Sequence, residues 1–480
     1  MTVRGGGSIT TPVHFCPPGA WVGDVSPVGR EGRFWLFYLL EIRNNPESGT
    51  GWALVSTEDF VHYADHGVVL PPGGPKADDF NCYTGHNPPH RAADGHTELR
   101  LVTHATSTDG LQSWRKHPDH TFAATAGCDP ADWRDPFVFR TDANQPWRML
   151  LAARHLQGPS RRRGVVAQLV SDDLVGWRPA QPFWDPRRYI THEFPDVFHA
   201  GGWWYLIYSE FSDPFLTRYR MARSMDGPWL APELDTIDGR APYASKSVAR
   251  GDRRFLVGWI AIEEGDSDDG ACQWAGTMSV LELQQRDGTL AFLLPPEIAG
   301  SFTEPVTEIA PHPRSMTSSS PDGYEAAVGT AELPTEFYAE LIVDIEPDLG
   351  ACGILVRCSP DGEHGYVVRL EPRRHRVVFD RWPRRRTGAG QLEISGDEPY
   401  LIEVERPVHL PPGRHRVEVP ADAISCVVII DRQVALSTRI YDHRGGRLGA
   451  FVTDGTTTFH QIAIRRRPDP ATSDQPDHPA

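Results

Sequence analysis

A turn motif recurs four times in the first half of the chain. Ser56-Thr57-Glu58-Asp59-Phe60 leads to Tyr63, and Ser107-Thr108-Asp109-Gly110-Leu111 leads to Trp114. Ser171-Asp172-Asp173-Leu174 leads to Trp177, and Ser224-Met225-Asp226-Gly227 leads to Trp229. Ser and Asp favour such turns because their side chains bond the nearby backbone. The repeat length, roughly 50 to 65 residues, is that of one four-stranded antiparallel sheet with its turns. Between the motifs, short aromatic and β-branched runs alternate with Gly, Pro and Asp clusters, and long amphipathic helical patterns are scarce. The chain is therefore predicted to be all-β. Four repeats plus the segment from about Tyr243 to Leu294 predict a five-bladed β-propeller over about residues 10–305.

A different pattern follows. Pro311 to Asp322 is rich in Ser and Pro and reads as a linker. Beyond it, Ala339 to Ile345, Tyr366 to Leu370 and Ser425 to Ile430 alternate apolar and polar residues with turns between them. That pattern predicts an antiparallel β-sandwich over about residues 320–466. Residues 467–480, rich in Pro and Asp, read as a disordered tail.

The chain has 480 residues, so two or three domains are expected. Its formal net charge of −16 argues against nucleic acid or an anionic membrane surface as partner. Arg161-Arg162-Arg163 and Arg384-Arg385-Arg386 lack interleaved aromatics and read as solvated loop ends. The seven cysteines are dispersed without a CxxC, which argues against a disulfide framework and a zinc site. No metal and no cofactor are expected. Met1 to Val13 has no apolar core of signal-peptide length, and no stretch approaches a membrane span of about 20 apolar residues. A cytoplasmic protein is expected, and the scarcity of Lys beside abundant Arg suggests a bacterial source.

Three acids stand in aromatic-rich contexts beside prolines: Asp24 in Trp21-Val22-Gly23-Asp24-Val25-Ser26-Pro27, Asp135 in Trp133-Arg134-Asp135-Pro136, and Glu193 in His192-Glu193-Phe194-Pro195-Asp196. Each precedes a strand-like run. Any one of them suits an ordinary turn. Three together suit glycoside cleavage, which uses one carboxylate as nucleophile and one carboxylic acid to protonate the leaving oxygen. The partner is then a small carbohydrate. His14, His86, His192 and His199 lie near these motifs and are assigned no catalytic role.

These motifs, in this order and with this architecture, resemble glycoside hydrolase family 32, the invertases, levanases, inulinases and related fructosyltransferases. The resemblance spans about His14 to Arg466. The family's Trp-Met-Asn-Asp-Pro-Asn-Gly motif carries the nucleophile, which implies Asp24. Its Arg-Asp-Pro motif, which stabilises the transition state, is matched unaltered by Arg134-Asp135-Pro136. Its Glu-Cys-Pro-Asp motif carries the acid/base, which implies Glu193. Phe34 to Tyr38, Trp274-Ala275-Gly276 with Leu281-Glu282-Leu283, and Thr438 to Tyr441 resemble further segments of the family. Two departures concern specificity. Gly23 stands where the family has Asn, and Leu39 where it often has Gln, so two amides that contact the fructosyl ring are absent.

The resemblance implies a retaining hydrolase of β-fructofuranosidic bonds of sucrose, inulin or levan type. Phe194 and the strand Trp203-Trp204-Tyr205 are expected to supply low-polarity surroundings for Glu193. Substrate contacts are expected from Trp21 and Arg134. Asp196 suits a sugar ligand or a turn equally, Tyr243 a site residue or a core aromatic, and Trp52 and Trp274 pocket walls or packing. Alternatives are a fructosyltransferase, a difructose-anhydride-forming transferase, or an arabinan-type furanosidase.

Overall fold

The computed structural model describes residues 8–10, 13–43, 48–74, 102–109, 111, 113–306, 315–318, 323–382 and 404–468. His86, Cys82, Arg384 to Arg386 and residues 469–480 of the expected tail lie outside them. The architecture is all-β, and among the described residues the one α-helix is the short Pro296–Gly300. No described helix is long and apolar enough to cross a membrane.

The first half comprises five successive groups of antiparallel strands. Trp21–Arg30 (β1) is followed by Arg33–Glu41, Gly51–Thr57 and His62–Leu70. Val102–Thr106 pairs with Arg115–Phe122. The third group begins with Cys128–Phe139 (β2) and the fourth with His192–Ala200 (β3). The fifth runs Pro242–Arg250 (β4), Arg253–Glu263 (β5), Cys272–Arg286 (β6) and Thr289–Leu293. A bridge between Val22 and Gly276 joins the first group to the fifth.

The recurring motif forms one kind of turn. Thr57 Oγ1 accepts the Phe60 N–H at 2.8 Å, and Ser171 Oγ accepts the Leu174 N–H at 2.9 Å. Asp59 and Asp173 then accept backbone N–H groups further along. In the first copy Thr57, not Ser56, plays the hydroxyl part. Phe60, Leu111, Leu174 and Gly227 all take positive φ, from 60° to 88°.

In the second half two antiparallel sheets face one another across a common core. One contains Phe337–Ile345, Gly413–Ala421 and Thr456–Arg466, the other Ala351–Cys358, Gly365–Glu371 and Arg376–Trp382. Leu341, Val343, Ile354, Val368, Phe379, Val419 and Val428 pack between them. Ser315–Thr317, within the stretch read as a linker, is a strand paired with Thr456–Thr458. Arg467, counted with the tail, packs its guanidinium over Phe302 and donates to Ser301. The six described cysteines are unpaired.

The halves are joined by buried polar contacts. His14 Nδ1 lies 3.0 Å from Asp422 Oδ2 and 2.7 Å from Ser425 Oγ. Ser437 donates its N–H and hydroxyl to Asp238, both at 2.7 Å. Buried Arg406 donates to the carbonyls of Ile237 and Ala435 at 2.6 Å.

Candidate active site

Four of these strands carry the same irregularity at the same place. Between Gly23 and Ser26 in β1, three steps oppose two on the neighbouring strand. The same one-residue bulge lies between Arg134 and Phe137 in β2, Glu193 and Asp196 in β3, and Tyr243 and Lys246 in β4. In each, the residue after the first member has positive φ: Asp24 at 27°, Asp135 at 57°, Phe194 at 53° and Ala244 at 51°. Such conformations are costly for residues other than Gly and cluster at functional sites. A bulge turns two successive side chains away from the regular alternation. The four bulges thereby present Asp24, Arg134-Asp135, Glu193-Phe194 and Tyr243-Ala244 to one place.

That place is a cavity of about 920 Å³, at the upper end of the usual range for ligand sites. Asp24, Asp135, Glu193, Arg134, Tyr243 and Trp274 all line it. Trp21 and Trp52 do not. Asp196 is not at its wall either: it is buried and accepts the Ser247 N–H at 2.6 Å, holding β3 to β4.

The bulges are cross-linked. Arg134 donates from Nε and Nη2 to Glu193 Oε1 at 3.0 and 2.6 Å. The Tyr243 hydroxyl donates to Glu193 Oε2 at 2.6 Å. Asp135 Oδ2 accepts the Phe194 N–H at 3.1 Å. Trp259, on β5, donates its ring N–H to Asp24 Oδ1 at 3.3 Å. Arg134 also pairs with Asp132, which Arg154 contacts at 3.4 Å. Burial pushes the Asp135 carboxyl well above its ordinary range, against the opposing charge of Arg134. Lys246, itself lowered by burial, sits 4.5 Å over the Phe194 ring and donates to the Pro136 carbonyl.

The surroundings of Glu193 differ from the apolar ones expected. Trp203 stacks under Arg223, and the Tyr205 hydroxyl donates to the Gly288 carbonyl, so neither flanks the carboxyl. A guanidinium and a phenol hold it instead. His192 packs among Trp184, Tyr189 and Tyr208, and burial pushes its imidazole down to about 3, which leaves it neutral. Trp259 and Lys246 were not singled out from sequence. Lys246 had a signal, as one of three lysines in the chain and three residues after Tyr243.

The second half completes the cavity. Tyr366, Phe379, Arg381, Thr438 and Arg439 form part of its wall. Arg439 donates to the carbonyls of Ala261 and Ile260 at 2.8 and 2.6 Å. The loop after β5 is clamped by Tyr366, whose hydroxyl donates to Asp268 at 2.6 Å, and by Arg381, which donates to Asp269 at 2.6 Å. Among the described residues, no group of three or more His, Cys, Asp or Glu side chains is arranged to hold a metal ion.

Three carboxyl groups in an aromatic-walled cavity suit the chemistry of glycoside cleavage, which uses a pair of them. Residues 14–292, more than half of the chain, match the model of the glycosyl hydrolases family 32 N-terminal domain, and the chain belongs to that family. The levanbiose-producing levanase of Bacillus subtilis (strain 168) is 24% identical over 322 residues, covering 59% of this chain and 60% of that protein. The sucrose-6-phosphate hydrolase of Vibrio alginolyticus is 26% identical over 302 residues, covering 56% and 59%. The matches thus span about three-fifths of those relatives. In structure, the exo-inulinase of Aspergillus awamori superposes with a TM-score of 0.69 at 17% identity, over 96% of this chain and 99% of that one, a likeness of fold.

Proposed function

We propose that this protein is a retaining glycoside hydrolase that cleaves β-fructofuranosidic bonds of the sucrose, inulin or levan type. Its scaffold is read as a five-bladed propeller over about residues 10–305, the five strand groups being the blades, followed by a sandwich over about 320–466. The observation that carries the reading is the convergence of Asp24, Asp135 and Glu193 on one cavity from equivalent bulges. The names of the levanase and sucrose-6-phosphate hydrolase relatives favour a fructosyl donor.

In this reading Asp24, steadied by the Trp259 N–H, attacks the anomeric carbon and forms a sugar ester. Glu193 first protonates the leaving oxygen and then takes a proton from water. Tyr243 suits both stages, because its hydroxyl donates to a carboxylate and accepts from a carboxylic acid. Asp135 accepts hydrogen bonds from ring hydroxyls as positive charge grows on the sugar. Arg134 positions Glu193, and Trp274 walls the sugar site. Transfer to a sugar acceptor uses the same groups. An arabinan-type furanosidase has one observation in its favour, the lack of a side chain at Gly23.

The test is incubation with sucrose, inulin, levan and aryl fructo- and arabinofuranosides, followed by product identification. Asp24→Asn is expected to abolish turnover of every substrate. Glu193→Gln is expected to spare the first step on activated aryl substrates, with azide partly rescuing the second. An active Asp24→Asn enzyme, or equal loss on all substrates without azide rescue in Glu193→Gln, overturns the division of roles. Turnover confined to arabinofuranosides overturns the fructoside assignment.

A further inference from the structure

The four bulges are equivalent, yet their first positions are not equally furnished. Arg134, Glu193 and Tyr243 bring polar groups to the cavity, while the fourth position is Gly23. The space beside Gly23 is filled from another strand. A Cβ placed there would lie 2.5 Å from Cη2 and 2.6 Å from Cζ2 of Trp274. Position 23 therefore cannot carry a side chain while the indole stays where it is.

The indole is held in place. The register of β5 on β6 slips between Ala261 and Ile262, and Ala275 takes φ 67°. Arg43 ties this bulge down, donating to Gln273 Oε1 and to the Trp274 carbonyl, both at 2.5 Å. The Trp274 ring meets Trp259 edge to face at 6.2 Å, and Trp259 is the donor to Asp24. The wall next to Asp24 is thus a pair of indoles, one of them resting on bare backbone.

We infer that Gly23 and Trp274 form a coupled specificity determinant for the donor sugar. The inference rests on the furanosidase reading above. The ring edge that lies against this wall is read by contact between C–H groups and the indole, not by a hydrogen bond from a side chain at position 23. A site built to bond a hydroxyl strongly rejects an analogue lacking it, because its own polar group is left unpaired; an apolar wall does not. The donors accepted therefore include furanosides that lack a hydroxyl on that edge.

The experiment compares wild type, Gly23→Asn, Trp274→Ala and the double variant. Melting temperature is measured first, then kcat and KM on an aryl fructofuranoside and its mono-deoxy analogues. Wild type is expected to lose less than threefold in kcat/KM at one of the deoxy positions. Trp274→Ala is expected to raise KM about tenfold. Gly23→Asn alone is expected to melt lower and to lose activity, and Trp274→Ala is expected to restore stability to it. The double variant is expected to discriminate about tenfold or more against the deoxy donor that wild type tolerates. A Gly23→Asn enzyme as stable and active as wild type overturns the inference and leaves the furanosidase reading intact. So does a wild type that rejects every deoxy analogue more than tenfold, or a double variant that gains no discrimination. A wild type that turns over no furanoside overturns the furanosidase reading itself, and this inference with it.

Discussion

Asp422 joins the segment ahead of β1 to the second half of the molecule, and its charge is open to direct measurement. Burial alone would raise its carboxyl. The hydrogen bonds from His14 and Ser425, with the Ile424 N–H, outweigh that and hold it at about 2, against an ordinary 3.8. At about 1.4 kcal/mol per pH unit the gap corresponds to roughly 2.5 kcal/mol. The sign follows from the depressed value. The contribution is fully present above about pH 4 and is lost as pH falls through about 2. Asp422→Asn keeps the shape and removes the charge. At about 2.1 cal/mol/K per residue, a single transition of the whole chain moves by about 2–3 °C, and one confined to a unit of about 150 residues by about 8 °C. Guanidinium unfolding of wild type and variant from pH 7 down to pH 3 is the assay. The difference is expected to be near 2–3 kcal/mol at pH 7 and smaller at pH 3. A difference that is absent at pH 7, or that stays constant with pH, refutes the argument.

Lys246→Met removes a buried cation that opposes the upward push on Asp135. The acidic limb of the kcat/KM profile is expected to move to higher pH; an unmoved limb excludes this coupling. A Cβ on Gly276 would lie 1.7 Å from the Ile260 carbonyl oxygen, so Gly276→Ala is expected to yield no folded protein in soluble expression. Gly19, at φ 70° with open space around it, provides the control: Gly19→Ala is expected to cost about 1 kcal/mol by denaturant titration. Arg439→Met removes both hydrogen bonds to the Ala261 and Ile260 carbonyls at the cavity wall. A loss of about 2–4 kcal/mol and a raised KM are expected, read by calorimetry and steady-state kinetics.

The all-β character and the recurring turn were legible because they rest on local chemistry, a hydroxyl and a carboxylate closing on backbone two to four residues away. The acids were legible because Asp24, Asp135 and Glu193 each stand in a distinctive short motif. The wall of the site was less so. Which residues face the cavity depends on a one-residue slip between strands, and nothing in the Tyr243 to Lys246 or Trp259 stretches announces such a slip. Trp21 and Trp52 resembled site residues by type alone, and neither lies at the cavity. The part played by Arg439 and Tyr366 depends on how distant segments meet, which neither periodicity nor spacing encodes.

That meeting has a consequence for how the site comes into being on the ribosome. The three carboxyl groups are all made within the first 200 residues, and the matched family segment ends at residue 292. Yet the carbonyls of Ile260 and Ala261 wait for Arg439, and Asp268 waits for Tyr366. A nascent chain therefore holds its chemical groups long before it holds an enclosed place for a sugar. The cavity closes only when the segment that carries Arg439 has been synthesised and docked.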